Sequence, residues 1–79
     1  MEAPDIVNNP EHYTRFNIQP IDFITENELP WHTGNIVKYA LRAGFKLYPG
    51  KGPEESEIID LQKVIRNAQV RIDHIRISV

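Results

Sequence analysis

Apolar residues recur at helical spacing over the C-terminal third of the chain. Between Pro53 and Arg76 they step by three and four residues in alternation, the heptad pattern of a helix that packs along another helix. The heptad positions are Ile58, Leu61, Ile65, Ala68, Ile72 and Ile75, with Val79 as the next step. At 1.5 Å per residue this helix would be about 36 Å long. Because that is long for a small monomer, we expect part of the pattern to pack on another copy of the chain; the alternative is a frayed C-terminal end.

The start of this third helix is marked by local signals. Gly52 is a candidate cap, and Pro53 suits the first helical position, where its missing N–H is not needed. The acidic residues Glu54, Glu55 and Glu57 follow in the first turns, where the helix dipole favours negative charge. The third helix is therefore the most strongly predicted element.

Two shorter helices are predicted upstream. Pro20 suits the first position of a helix that runs to about Glu28, and Pro30 opens a second one, which Gly44 is suited to end. The first carries an apolar stripe of Ile21, Ile24 and Phe23. The second has apolar positions at helical spacing, namely Trp31, Gly34, Val37 or Ile36, Ala40 and Leu41. Between Lys46 and Gly52 we expect a loop with Pro49-Gly50 as its turn.

The chain is predicted to form one all-α domain over residues 1–79, with an extended arm at 1–19 and a helical core at 20–79. Its 79 residues contain no cysteine, so disulfides and thiolate metal sites are excluded. The apolar share of 41% and charged share of 25% are typical of a globular protein. No apolar run approaches the roughly 20 residues of a membrane span, and no signal peptide pattern is present. We therefore expect a cytoplasmic protein.

Charge is unevenly distributed. Residues 1–30 hold six acidic and one basic residue, a balance of −5, whereas residues 31–79 hold eight basic and five acidic residues, a balance of +3. The net charge of −2 argues against a general nucleic-acid binder. This net charge conceals a basic C-terminal part, which bears on what the chain binds.

Basic and polar side chains share one face of the second helix. Asn35, Lys38 and Arg42 fall within about 60° of one another, and Tyr39 borders them. Lysine and arginine are the usual ligands of phosphate. Two interpretations stay open: this face is a phosphate site, or it is a solvated face paired with acids of the third helix. If it is a phosphate site, replacing both Lys38 and Arg42 with alanine would abolish binding while leaving helicity intact. On that third helix Asp60, Lys63 and Asn67 also share a face.

Other candidate chemistry is weaker. The Glu-x-x-Asp and Glu-x-x-Glu pairs made by Glu54, Glu57 and Asp60 suit either Mg²⁺ beside a phosphate or the helix dipole. His12 suits an acid-base, phosphate-binding or metal-binding role, or simple packing. His32 and His74 have no ligand spacing with it, so no metal site is predicted. Phosphate-loop and serine-elbow motifs are lacking.

Several motifs together resemble a known family. In chain order they are Val7-Asn8-Asn9-Pro10-Glu11-His12-Tyr13, Ile21-Asp22, Gly34-Asn35-Ile36-Val37-Lys38-Tyr39-Ala40-Leu41-Arg42-Ala43-Gly44 and Asp60-Leu61-Gln62-Lys63. They resemble the small phage family known as SaV-like or "nucleotide kinase". The resemblance implies a phage or prophage protein, mostly helical and oligomeric; a longer relative is a nucleoside monophosphate kinase without a phosphate loop. By matching position, the implied nucleotide contacts are His12, Tyr13, Asn35, Lys38, Tyr39, Arg42, Asp60 and Lys63. Asn9 stands where the family more often has histidine.

Two function classes follow. The first is a nucleotide-binding phage protein in the host cytoplasm, which either acts as a kinase, with Mg²⁺ as a candidate cofactor, or sequesters nucleotide signals of host defence without turnover. The second is a helical interaction module that inhibits a host protein without a small ligand. In both, we expect a homo-oligomer through the third helix, with no membrane partner. Nucleic-acid binding ranks lower because the acidic arm opposes it.

Overall fold

The computed structural model describes residues 15–78, which form three helices and no strand. Helix α1 comprises Pro20–Glu26, α2 comprises Trp31–Arg42, and α3 comprises Pro53–Ser78. The predicted all-α class and the three helices are thus confirmed. Within the described part of the chain, no helix is long and apolar enough to cross a membrane.

The helix boundaries follow the proline and glycine signals. Pro20 occupies the first turn of α1, and Pro30 caps α2. Gly44 lies just beyond the cap of α2 with φ +86°, a backbone conformation that favours glycine. Gly52 accepts a hydrogen bond from the Ser56 N–H at 3.0 Å, which starts α3 directly before Pro53.

Helix α1 ends two residues before the predicted position. Glu28 adopts φ +51°, which lies outside the right-handed helical region and stops the helix. The side chain of Asn27 donates to the Phe23 carbonyl at 2.9 Å and so satisfies one of the free carbonyls at this end.

The loop between α2 and α3 contains the predicted turn. The Lys51 N–H donates to the Tyr48 carbonyl at 3.0 Å, and Gly50 within this turn has φ +73°.

Helices α1 and α2 approach each other closely at Gly34. This glycine is buried, and a Cβ atom at its position would lie 2.9 Å from Ile24 Cγ2. Ile24 therefore packs directly against the α2 backbone. The other two residues of the predicted α1 stripe, Ile21 and Phe23, are exposed.

Polar side chains join helices α2 and α3 at several points along their contact. Asn35 Nδ2 donates to Asn67 Oδ1 at 3.3 Å, and Arg42 pairs with Asp60. At the opposite end, the rings of His32 and His74 meet edge to face with centroids 6.0 Å apart. The helix pair is thus antiparallel and joined along the faces that carry Asn35 and Arg42 on α2 and Asp60 and Asn67 on α3.

The large apolar side chains of the described residues are exposed or half-buried in the single chain. Among residues 15–78 no Val, Ile, Leu, Phe, Tyr or Trp side chain is buried, and the buried polar residues are Arg42, Ser56 and Asp60. The large heptad residues of α3 are exposed, and Trp31 of α2 is 76% exposed. The heptad positions lie on the side of α3 that faces away from α2, because α2 occupies the polar side.

The predicted extended arm is only partly described. Residues 15–18 form a turn and bends, and only Gln19, which caps α1, has extended backbone angles. Arg15 Nη2 donates to the Leu41 carbonyl at 2.6 Å, and its guanidinium lies 3.5 Å from the centroid of the Phe45 ring. A cation at the C-terminal end of α2 is favoured by the helix dipole. The rest of the predicted arm, with His12 and Tyr13, lies outside the described residues.

Candidate anion-binding surface

An ion pair between Arg42 and Asp60 forms the buried centre of the candidate site. Arg42 Nη2 lies 2.9 Å from Asp60 Oδ1, and Arg42 Nε lies 3.3 Å from the same oxygen. Asp60 is fully buried and Arg42 is 7% exposed. Buried charges are tolerated where they are paired and hydrogen-bonded, and both conditions are met here.

The Tyr48 hydroxyl connects this ion pair to Lys63. It donates to Asp60 Oδ1 at 2.6 Å and accepts from Arg42 Nη2 at 2.7 Å and Lys63 Nζ at 2.8 Å. One donated and two accepted bonds use the whole hydrogen-bonding capacity of a phenol. The Tyr48 N–H donates to the fully buried Ser56 Oγ at 3.0 Å, so α3 fixes the loop that carries this ring.

Cations gather around the two tyrosine rings of this region. Lys38 Nζ lies 4.5 Å from the Tyr39 ring centroid, and Lys46 Nζ lies 4.8 Å from the Tyr48 centroid. Lys63 Nζ approaches both rings, at 5.0 Å and 4.8 Å. We call this region the basic surface, and its members are Lys38, Tyr39, Arg42, Lys46, Tyr48 and Lys63.

The electrostatics of the basic surface are unbalanced. Among residues 15–78 it holds four cations, and the buried carboxylate of Asp60 is paired with one of them, Arg42. Burial and the positive charges of Arg42 and Lys63 lower the pKa of Lys46. An added anion would relieve this repulsion.

The cations that disfavour the charged form of Lys46 favour the charged form of Asp60. Burial acts to raise its pKa, but hydrogen bonds from Arg42 and Tyr48 and the charges of Arg42 and Lys63 outweigh burial, so the pKa of Asp60 is lowered. A carboxylate with a lowered pKa is a weak base. Asp60 is thus suited to anchor Arg42 and Tyr48 rather than to abstract a proton.

The structure brings together most of the predicted site residues. Of the eight, the six in the described part of the chain lie along the α2–α3 contact: Asn35, Lys38, Tyr39, Arg42, Asp60 and Lys63. The predicted sharing of one face by Asp60, Lys63 and Asn67 is confirmed by their contacts with α2 and Tyr48. The remaining two, His12 and Tyr13, fall outside the described residues.

The geometry divides these residues by role. Arg42 is engaged by Asp60 and Tyr48 rather than solvated, so Arg42→Ala would leave a buried carboxylate uncompensated. The expectation that this substitution leaves the helices intact is therefore revised.

In the predicted Glu-x-x-Asp pair, Glu57 is exposed whereas Asp60 is buried. Among residues 15–78, no group of three or more His, Cys, Asp or Glu side chains is arranged to hold a metal.

Three residues of the site were missed by sequence reasoning. Lys46 and Tyr48 lie in the segment predicted as a loop, and Ser56 lies in the first turn of α3. The available signal was the aromatic and basic character of the stretch from Lys46 to Tyr48. The Pro49-Gly50 turn predicts a reversal of the chain there, but not that it returns Tyr48 to α3.

Comparison with known proteins identifies a family. A family model described as a protein of unknown function (DUF3310) matches residues 7–69. Because this match covers most of the 79 residues, the chain belongs to that family. No curated protein and no solved structure matches the chain at a significant level.

Proposed function

We propose that this DUF3310 protein binds a phosphate-bearing nucleotide on the basic surface. The observation that supports the proposal is the charge of that surface, where four cations surround two tyrosine rings and the adjacent carboxylate is buried and paired. Phosphate groups satisfy several ammonium groups at once, and lysine binds them as a point charge.

The residues of the basic surface have separate roles in this proposal. Lys38, Lys46 and Lys63 contact the phosphates. Arg42 and Asp60 hold the surface together from beneath, since both are buried in their ion pair. Tyr39 and Tyr48 orient the ammonium groups, and a tyrosine face also suits contact with a base.

The resemblance to the SaV-like or "nucleotide kinase" phage family supports a nucleotide rather than a simple anion. It implies His12 and Tyr13 as further contacts from the segment before α1, together with Asn35 of α2. Within the proposal the protein acts in the host cytoplasm, either as a nucleoside monophosphate kinase assisted by Mg²⁺ or as a protein that sequesters nucleotide signals of host defence.

Calorimetric titration of the full chain with mono-, di-, tri- and cyclic nucleotides, with and without Mg²⁺, tests the proposal. We expect one nucleotide class to bind, and we expect Lys63→Ala to weaken its affinity by roughly tenfold or more, as for the loss of a charge-assisted hydrogen bond. Lys51→Ala is the matched control, because Lys51 is exposed and belongs to a loose pair with Glu55 at 3.9 Å. It removes the same charge and should leave the affinity unchanged.

Two outcomes contradict the proposal: no nucleotide binds, or Lys51→Ala weakens binding as much as Lys63→Ala. The first outcome would favour the helical interaction module that inhibits a host protein. Incubation of the bound nucleoside monophosphate with ATP and Mg²⁺, followed by chromatography, separates kinase activity from sequestration.

A further inference from the structure

We propose that a second copy of this chain covers the heptad face of α3, with the two α3 helices packed antiparallel. The heptad face consists of Ile58, Leu61, Ile65, Ala68, Ile72 and Ile75. Its five large side chains are between 41% and 67% exposed. Such a continuous apolar stripe on a helix marks a contact surface.

The heptad face is separate from the surface that α2 covers. Asp60, Asn67 and His74 contact α2, and at 100° per residue they lie more than about 100° around the helix from the centre of the heptad face. The inference therefore does not depend on the proposed function, because the basic surface stays open when the heptad face is covered.

Incomplete burial in the described part of the chain supports such a cover. No Val, Ile, Leu, Phe, Tyr or Trp side chain in residues 15–78 is buried, although several are half-buried, and the Asn35–Asn67 and Arg42–Asp60 contacts between α2 and α3 are polar. Hydrophobic burial is the dominant favourable term in folding, and the half-buried side chains of the single chain supply only part of it. The heptad face is the longest apolar surface available to supply it.

The spacing of the heptad face points to a second copy of itself. The steps of three, four, three, four and three residues read the same in both directions. When two α3 helices run antiparallel, Ile58 therefore meets Ile75 of the partner subunit, Leu61 meets Ile72 of the partner subunit, and Ile65 meets Ala68 of the partner subunit. All six layers are then apolar, which is the self-complementarity that a two-fold interface requires.

Charge selects the antiparallel direction. The N-terminal end of α3 is acidic, with Glu54, Glu55 and Glu57, and its C-terminal end carries Arg71 and Arg76. Antiparallel packing places Glu55 beside Arg76 of the partner subunit at both ends, and it also opposes the helix dipoles favourably. Parallel packing would instead gather the acidic ends together and place Arg71 beside Arg76 of the partner subunit.

The mass of the full chain in solution tests the interface. Sedimentation of the wild-type protein should give at least two chains per particle. Ile65→Glu places a carboxylate in the centre of the heptad face, and we expect the dissociation constant to rise by about a hundredfold or more. Ile77→Glu is the matched control, because Ile77 is an equally apolar residue of α3 that is 81% exposed and lies outside the heptad face. The dissociation constant of the Ile77→Glu variant should differ from that of the wild type by less than about twofold.

Cysteine cross-linking tests the direction, since the chain has no cysteine of its own. Ile58→Cys and Ile75→Cys should form an intermolecular disulfide only when the two variants are mixed. In an antiparallel pair two copies of residue 58 are about 25 Å apart, too far for a disulfide.

Sedimentation and cross-linking together decide whether the antiparallel pair forms. A particle of two chains, or of a multiple of two, with the disulfide in the mixture alone supports the inference. A monomer at every concentration overturns it, since the heptad face is then covered by the chain itself or left open. A disulfide in Ile58→Cys alone, or an oligomer with none in the mixture, overturns the antiparallel pairing.

Discussion

Arg42 Nη2 lies 2.9 Å from Asp60 Oδ1, and the two residues are 18 positions apart in the chain. This contact lies at the end of the α2–α3 pair where the loop of residues 43–52 connects the two helices. The same oxygen accepts the Tyr48 hydroxyl at 2.6 Å. One buried carboxylate thus holds both an arginine from α2 and a tyrosine from the connecting loop. Because Asp60 positions both Arg42 and Tyr48, a change in the charge of Asp60 should change the stability of the basic surface.

Breaking the ion pair from the arginine side should be costly. We expect Arg42→Met to lower the free energy of unfolding by about 3 kcal/mol, because Asp60 would remain charged and buried. Urea denaturation measures the change. Lys51→Met, which breaks the exposed pair with Glu55, is the control and should cost less than about 1 kcal/mol. Equal losses in the two variants would show that the Arg42–Asp60 pair is not the dominant contact.

Acid should destabilise the protein through Asp60. Because the pKa of Asp60 is lowered in the folded state, its contribution is fully present above the ordinary aspartate pKa. The contribution is lost as the pH falls from that value through the lowered one. The Tm should therefore fall over this acidic range, and Asp60→Asn should show a flatter profile in thermal melts. An unchanged slope in Asp60→Asn would assign the acid sensitivity to other carboxylates.

Removing Lys46 should stabilise the free protein. Its pKa is lowered by burial and by the charges of Arg42 and Lys63, so the folded state disfavours its positive charge. We expect Lys46→Met to raise the Tm at neutral pH and to weaken phosphate or nucleotide binding. The difference in Tm should shrink as the pH rises from the lowered pKa to the ordinary lysine value, where Lys46 loses its proton. A lower Tm together with unchanged binding would contradict a strained cation at this position.

The Tyr48 hydroxyl should contribute more to the free energy of unfolding than the Tyr39 hydroxyl. Tyr48→Phe removes one bond to Asp60 and the acceptor of the Lys63 ammonium. We expect a loss of about 1–3 kcal/mol in the free energy of unfolding, because a charged group loses its partner. Tyr39→Phe keeps the ring and serves as the comparison in the same denaturation experiment. A larger loss in Tyr39→Phe would be inconsistent with the hydrogen-bond network described above.

A side chain at position 34 should destabilise the contact between α1 and α2. The Cβ atom of Gly34→Ala would lie 2.9 Å from Ile24 Cγ2, so the Ile24 side chain or α1 itself must shift. We expect a loss of about 1–3 kcal/mol despite the better helix propensity of alanine. Adding Ile24→Ala to Gly34→Ala should recover stability relative to Gly34→Ala alone. Two independent, additive losses would show that Ile24 is not the obstacle.

The sequence predicted those features that are encoded by neighbouring residues. Gly52 and Pro53 marked the start of α3, Gly44 marked the end of α2, and Pro49-Gly50 marked the turn, because each acts through its own backbone. The common face of Asn35, Lys38 and Arg42 followed from helical geometry alone. The early end of α1 was missed because the left-handed conformation of Glu28 has no comparable local signal.

The sequence did not predict which helix faces meet. A heptad pattern identifies an apolar surface but not the element that covers it, and α2 packs on the polar side of α3 instead. The pairing of Arg42 with Asp60 depends on how the loop of residues 43–52 returns the chain. For the same reason Tyr48 and Lys46 were not recognised as part of the basic surface.

The absence of a buried large hydrophobic side chain in residues 15–78 bears on how stability itself is defined for this protein. In the antiparallel pair inferred above, apolar surface leaves water when two chains meet, so folding and association form one equilibrium. The Tm then rises with total protein concentration, as mass action requires. The free energy of unfolding belongs to the pair of chains and carries a concentration standard state. Every variant must therefore be compared with the wild type at equal concentration, because simple dilution alone would mimic a destabilising substitution.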